Sequence, residues 1–318
     1  MATDPLSDTL ALMDARCAIS RGFTAGGAWS MRFARPHRLK VTAVVRGQYW
    51  LVLDGAAEPI RLSAGDVAVF AGGNPFVLTS DPALRPREAT TLFRASGEPM
   101  LALGGGEEVV SVGGHIDVSR AGEDLLVKAL PPVIHVRSGS AEAGALSRLL
   151  DELQREMSSA RAGATFAADQ LAQLMFVQVL RAYLSDAESF PPGWLRALAD
   201  ERLAPALRLM HNDPGRPWQL EELARASAMS RTTFALHFRT VAGVPPLTYL
   251  QNWRMRIAER DLREKDTPLA TLALSVGYTS ESAFSNAFKR TVGIAPKRYR
   301  DAARDAAREA VRTAAVQT

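Results

Sequence analysis

The chain of 318 residues holds one cysteine, Cys17. No internal disulfide can form, and the residue reads as a small buried side chain rather than a redox switch. No run of 18 or more apolar residues occurs, and the opening MATDPLSDTL has no basic stretch followed by an apolar one. Neither a membrane span nor a signal peptide is indicated, and a cytoplasmic protein is expected. The five histidines, His37, His115, His135, His211 and His237, are scattered singly, and no His-x-His is present. No GxxxxGK[ST] phosphate loop and no nucleophile-elbow signature occurs. Gly104-Gly105-Gly106 lacks the strand and helix context of a nucleotide loop and reads as a hairpin connection. These absences lead to an expectation of no cofactor, no metal and no catalytic residue.

What is present is enough apolar residue, 47% of the chain, to build two domains with cores of their own. Charge divides between them. Residues 1 to 199 carry 19 Lys and Arg against 21 Asp and Glu, a net of −2; residues 200 to 318 carry 19 against 13, a net of +6. A basic C-terminal segment attracts phosphates whatever the nucleotide sequence.

That segment contains LATLALSVGYTSESAFSNAFKRTVGIAPKRYR, Leu269 to Arg300. Pro268 sets a helix start, and Leu269, Leu272, Ala273 and Val276 fall at the spacing of one buried helical face. Gly277 ends the helix, and Ser280 caps the next. In that second helix Ala283, Phe284, Ala287 and Phe288 point inward by spacing, which leaves Glu281, Ser282, Ser285, Asn286 and Lys289 outward. Shifting by about 50 residues superposes Ser230 on Ser280, Phe234 on Phe284, Phe238 on Phe288, Gly243 on Gly293, Pro246 on Pro296 and Tyr249 on Tyr299. Coincidence at six special positions indicates a duplicated unit. The first copy lacks the turn glycine, having Ser227-Ala228-Met229 instead. A helix of roughly Leu247 to Glu264 joins the two copies. Two recognition helices on one body suit successive major grooves.

A duplicated unit ending in GYTSESAFSNAFKRTVGIAPKRYR and preceded by ARASAMSRTTFALHFRTVAG resembles the DNA-binding domain of the AraC/XylS family of bacterial transcription regulators, over about Trp194 to Arg300. Trp194 to His211 would then be its first helix. The outward faces assign base reading to Arg231, Thr232, Ala235 and Leu236 in the first recognition helix and to Glu281, Ser282, Ser285 and Asn286 in the second. Arg239, Lys289, Arg290, Lys297, Arg298 and Arg300 are assigned to phosphates.

Upstream the periodicity is that of short strands. Lys40 to Val45, Gln48 to Leu53, Glu58 to Leu62 and Val67 to Phe70 are rich in Val, Leu and aromatics and separated by turn residues, with further strands expected at Ala89 to Arg94 and Glu108 to Val112. RGQYWLVLDG followed by LSAGDVAVFAGGNPFVL resembles the cupin β-barrel. Metal-binding cupins carry a His-x-His in the first motif and a His in the second; here Phe76 stands where the second would be. The resemblance therefore implies a sensor rather than a metal enzyme. Pocket candidates are Trp29, Phe33, Trp50, Phe70 and Phe76, with Arg35, His37 or Arg46 as polar anchors. Gly113 to Val136 looks like the closing segment of such a sensor, a last strand, a short helix and a proline break.

Two long helices follow, about Ala141 to Met157 and Phe166 to Leu184, the second with a broad apolar face at Leu171, Leu174, Met175, Val177, Leu180 and Leu184. In the resembled family such a pair often forms a dimer contact; covering the barrel is the alternative. The expected class is α+β multidomain: an antiparallel cupin-like effector-sensing domain (1–136), a helical connector and linker (137–193), an all-α double helix-turn-helix domain (194–300) and an Ala-rich tail (301–318), a solvated helix or frayed end. The expected function is a one-component transcription regulator acting on an operator in double-stranded DNA. The resemblance adds an unknown small effector, contact with RNA polymerase and a homodimer, without membrane. The alternatives are a redox-sensing regulator of the same family and a metal-independent cupin enzyme fused to a DNA-binding module.

Overall fold

The computed structural model describes all residues except 1–3, 35–38, 72, 99, 120–121, 123–125, 127–128, 141–142, 160, 186–189 and 317–318. The chain divides into two compact units, Asp14–Asp186 and Met1–Met13 together with Ala187–Thr318.

The Asp14–Asp186 unit is built on two facing sheets. One has the order β11-β6-β3-β10-β1-β9, from β1 (Arg16–Gly26), β3 (Leu39–Arg46), β6 (Val67–Phe70), β9 (Met100–Gly104), β10 (Val109–Asp117) and β11 (Val133–Val136). The other has the order β5-β4-β7-β2-β8, from β2 (Ser30–Phe33), β4 (Gln48–Leu53), β5 (Ile60–Ser63), β7 (Phe76–Thr79) and β8 (Arg87–Glu88). Pairing is antiparallel except β1 with β9 and β2 with β8. The inward residues of both sheets form one core, with Phe23, Trp29, Tyr49, Phe70 and Phe76 its largest members. Period-two alternation explains the assignment: Tyr49 and Leu51 are buried, whereas Trp50 and Val52, alternating with them, are only half-buried.

Three elements differ from what the sequence leads one to expect. Ala89–Ser96 is a helix, α2, rather than a strand: only its Ala89 and Leu92 are buried, which is helical rather than alternating spacing, and Gly97 ends it with a φ of 67°. The three glycines join β9 to β10, but those strands are not neighbours, since β1 lies between them; the turn is not a hairpin. Glycine is needed because the backbone at Gly104, with φ of 64°, comes up against the Gly26 carbonyl, leaving no space for a Cβ. After the proline break the chain adds β11, which pairs with β6; most of the short helix expected before that break lies outside the described residues.

Helices α3 (Ala143–Met157) and α4 (Ala164–Leu184) pack together and against the larger sheet. The Gln173 side chain on α4 accepts from Cys17 N at 2.7 Å and donates to Ala15 O at 3.0 Å, which ties α4 to the start of β1. The face turned inward carries Ala168, Ala172, Met175, Phe176, Val179 and Leu180. Leu174, expected within the apolar face, is 45% exposed, and Phe166 is 71% exposed.

The other unit is all-helical: α5 (Trp194–Ala199), α6 (Ala204–Asn212), α7 (Leu220–Ala226), α8 (Arg231–Ala242), α9 (Pro246–Glu264), α10 (Leu269–Ser275), α11 (Glu281–Val292) and α12 (Pro296–Val316). Trp194 to His211 is thus two helices, not one. The break is chemical: the Asp200 carboxylate accepts from Arg202 N and Leu203 N at 2.9 and 3.0 Å, and Pro205 suits a new helix start. The N-terminal helix α1 (Pro5–Leu12) belongs to this unit and packs against α6 and α9.

There are two cores, one per copy of the repeat. The first gathers Leu207, Met210, Leu223, Phe234, Phe238 and Tyr249; the second gathers Met255, Leu262, Leu272, Val276, Phe284 and Phe288. Helix α9 supplies its first half to one and its second half to the other.

Candidate nucleic-acid interface

Each copy presents a helix, a tight turn and a second helix. In the first, α7 leads through Ser227-Ala228-Met229 to α8, and Ala228 takes the left-handed conformation itself, with φ of 51°. In the second, Gly277 has φ of 81° between α10 and α11. Ser230 Oγ accepts from Thr233 N and Ser280 Oγ from Ala283 N, both at 3.2 Å. The two caps are therefore the same device, satisfying one of the free N–H groups of the first turn. Gly243 and Gly293 end the helices with φ of 74° and 91°.

The aromatic anchors repeat too. Phe234 meets Phe238 at 5.7 Å, and Phe238 meets Tyr249 at 5.5 Å; Phe284 meets Phe288 at 5.7 Å, and Phe288 meets Tyr299 at 5.6 Å. All four phenylalanines are fully buried. With that face of each helix held in the core, the opposite face must point to solvent.

On α8 the outward set is Arg231, Thr232, Leu236 and Arg239, all exposed, with Ala235 half-buried. Leu236 is 68% exposed, a large apolar side chain at the centre of the helix. Arg231 pairs with Glu221 at 2.8 Å. His237 is not on this face; its Nε2 lies 2.8 Å from Asp200 Oδ2, which tethers α8 to the end of α5. On α11, Glu281, Ser282, Asn286, Lys289 and Arg290 are exposed and Ser285 is half-buried. Lys297 and Arg298 are exposed at the start of α12, but Arg300 is half-buried and donates to the Thr267 carbonyl. That guanidinium joins α12 to the chain before α10, an internal engagement that spacing does not disclose.

The two copies are fastened to each other by contacts the sequence reading missed. Arg254 on α9 donates from Nε to Pro214 O at 2.6 Å and from Nη2 to Arg216 O at 2.8 Å. Gly215 and Gly277 approach closely, so a Cβ on Gly215 would sit 2.8 Å from Ser275 O. The loop after α6 thus seats directly on the turn of the second copy. An arginine mid-helix and a glycine in a loop have no motif that would have drawn attention to them.

Within the other unit the aromatic pocket candidates separate. Phe70 and Phe76 stack with centroids 4.0 Å apart and Phe33 stacks on Phe76 at 4.6 Å, and all three line a cleft of about 720 Å³ between the sheets. Trp29 packs with Phe23 and Tyr49 in the core instead, and Trp50 faces away from it. Arg46 is not at the cleft; it donates to Glu107 O, 61 residues on, at 2.5 Å. Arg35 and His37 lie outside the described residues. The reading missed Arg21, Phe93 and Arg94 at the cleft: residues 89 to 94 were expected to be a strand, and Arg21 comes to the cleft only through the pairing of β1 with β10. Beneath the cleft Thr42, Tyr49 and Ser111 exchange hydrogen bonds of 2.9 to 3.2 Å, a closed buried network.

No group of three or more His, Cys, Asp or Glu among the described residues could hold a metal ion. His115 lies 3.2 Å from Asp117 and His135 2.9 Å from Asp66, each a separate pair. Cys17 is buried, and burial first, with Asp169 and Asp117 adding to it, pushes its thiol up to about 12. A thiol held protonated there is a poor nucleophile at neutral pH. No helix among the described residues is long and apolar enough to cross a membrane.

Comparison with known proteins agrees with both halves. A cupin family profile matches residues 4–185, and a helix-turn-helix domain profile matches residues 223–302. An AraC-like transcription regulator of Streptomyces antibioticus is 40% identical over 297 residues, covering 93% of this chain and 98% of that one. The transcriptional regulator AlkR of Acinetobacter baylyi is 28% identical over 86% of this chain and 91% of that one. Among solved structures, the DNA-binding domain of AdpA in complex with a target DNA is 31% identical, with a TM-score of 0.32, over 33% of this chain and 96% of that one. Two helix-turn-helix units on one helical scaffold, a cupin-like double sheet ahead of them, and full-length likeness to such regulators lead to one conclusion: the chain belongs to the AraC-like family of DNA-binding transcription regulators.

Proposed function

We propose that this regulator reads a specific operator with α8 and α11 together and that a small effector in the cupin-like unit controls the reading. The observation that carries the proposal is the outward face of α11, where Glu281, Ser282 and Asn286 stand exposed over a helix whose Phe284 and Phe288 are fully buried. Asn286 matches adenine bidentately, Ser282 and Ser285 reach either base type, and Glu281 accepts from cytosine. Helix α8 contributes Arg231, Thr232, Ala235 and an apolar contact from Leu236 suited to a thymine methyl. Arg239, Lys289, Arg290, Lys297 and Arg298 neutralise phosphates and fix register. Arg300 is left out of that set because its guanidinium is engaged with Thr267 O.

The same reading assigns effector capture to the cleft between the sheets, dimer contact to α3 and α4, and contact with RNA polymerase to the DNA-bound state. The dimer assignment is supported by the exposed Phe166 and Leu174 on α4.

The test is a pair of substitutions measured on specific and random DNA over a range of salt. Asn286→Ala is expected to cost about 1 to 3 kcal/mol on the operator and to relax preference at one base pair. Lys289→Ala is expected to weaken both DNAs alike and to flatten the salt slope by about one charge. Equal weakening of both DNAs by Asn286→Ala would refute the assignment of base reading to α11.

A further inference from the structure

The cleft that receives Phe33, Phe70 and Phe76 is sorted by polarity, and the sorting follows from sheet register. In the larger sheet Gly113 lies between Arg21 on β1 and Thr42 on β3, so the three share the inward face. A Cβ on Gly113 would meet nothing within 4 Å except two neighbouring carbonyl oxygens, Arg21 O at 3.2 Å and Val41 O at 3.6 Å. The missing side chain therefore leaves the space above the sheet open at this point. Phe33 and Phe76 stand on the facing sheet and Phe70 on β6 of this one, their rings parallel at interplanar angles of 14° for Phe33 with Phe76 and 3° for Phe70 with Phe76. The edges and outer faces of such a stack give the cleft an aromatic, apolar wall.

Charge sits at the mouth. Arg21, Lys40 and Arg94 line the cleft, and no Asp or Glu does among the described residues. Arg21 is positioned by Phe93, donating from Nη1 to Phe93 O at 2.8 Å with its guanidinium carbon 5.6 Å from the Phe93 ring. His115 also lines the cleft but is taken up by Asp117. A planar guanidinium held at the entrance, with more N–H donors than Phe93 O consumes, is suited to a carboxylate.

We propose that the cleft binds an aromatic carboxylate, its ring system lying against the Phe33, Phe76 and Phe70 stack and its anionic group meeting Arg21 and Arg94. This deepens, and rests on, the assignment of an effector to the cupin-like unit. A volume of about 720 Å³ takes a ligand of one to three rings.

The experiment is calorimetric titration of the full-length chain with 2-naphthoate, with the neutral isostere 2-naphthamide and with decanoate. 2-Naphthoate is expected to bind at least about tenfold more tightly than the amide, a difference of about 1.4 kcal/mol, and more tightly than decanoate. Exchanging both Arg21→Gln and Arg94→Gln, at exposed positions, should erase the preference for the charged ligand, bringing 2-naphthoate to the affinity of the amide. Gly113→Leu should abolish binding of all three. No detectable binding of 2-naphthoate, equal binding of the amide, or no effect of the arginine exchanges would overturn the proposal; stronger binding of decanoate would overturn its aromatic part. The operator footprint of the ligand-free chain is recorded in parallel, so that failure of the ligand class is told apart from failure of the regulator reading.

Discussion

His211 shows how one side chain settles against its surroundings. Its ring lies 3.8 Å from that of Trp253, its Nε2 is 2.9 Å from Tyr249 Oη, and its Nδ1 is 3.5 Å from Asp8 Oδ2 on α1. A carboxylate at that distance favours the imidazolium, yet burial is the dominant influence and pushes the ring down to about 4 from its ordinary 6.5. The folded state therefore holds fewer protons than the unfolded state between those values. Stability from this group is complete above about pH 6.5 and is lost as pH falls toward about 4. Denaturant unfolding of the full chain at pH 7 and pH 5 should show a lower midpoint at pH 5, and His211→Gln should reduce that difference. An unchanged pH dependence in His211→Gln would show that another group carries it.

At the scale of elements, the paired turns make a controlled comparison. Gly277 and Gly293 both have φ near 80° to 90°, but a Cβ on Gly277 would run into Gly215 O and lie 2.9 Å from Arg254 Nη2, whereas Gly293 faces open space. Replacement by alanine strains the backbone at both, by more than about 1 kcal/mol. Only at Gly277 does it also push the second copy away from the loop that holds the first. Thermal unfolding should place Gly277→Ala well below Gly293→Ala, and operator binding should fall further as well; equal effects would mean that the contact with Gly215 is unimportant. This difference was not legible in the sequence, where both glycines mark helix ends. The repeat itself was legible because serine caps, phenylalanine anchors and C-terminal glycines are local requirements of a helix pair. Ala89–Ser96 was not: ATTLFRAS is short, with an apolar pair that suits either structure, and its place beside β2 and β9 decided it. Arg21 and Arg94 were missed for the same reason, since they meet only through tertiary structure. The α5–α6 break and the engagement of Arg300 likewise depend on partners distant in sequence.

The chain carries a double sheet with a ligand-sized cleft and a basic helical unit with two helix-turn-helix copies. Charge segregation, −2 before residue 200 and +6 from there on, was readable at once and agrees with where the helix-turn-helix units fall. The N-terminal helix is the exception to a simple division, because α1 precedes β1 in sequence while its Leu10 and Leu12 are buried in the helical unit. The proposed joint reading of an operator by α8 and α11 calls for genome-wide footprinting of the tagged chain in its own host, beside a version in which Thr232, Ser282 and Asn286 are alanine. A few sharp sites are expected, each with two boxes about one helical turn of 10 to 10.5 base pairs apart, and lost in the substituted chain. Diffuse occupancy, or sharp sites that survive the three substitutions, would contradict it.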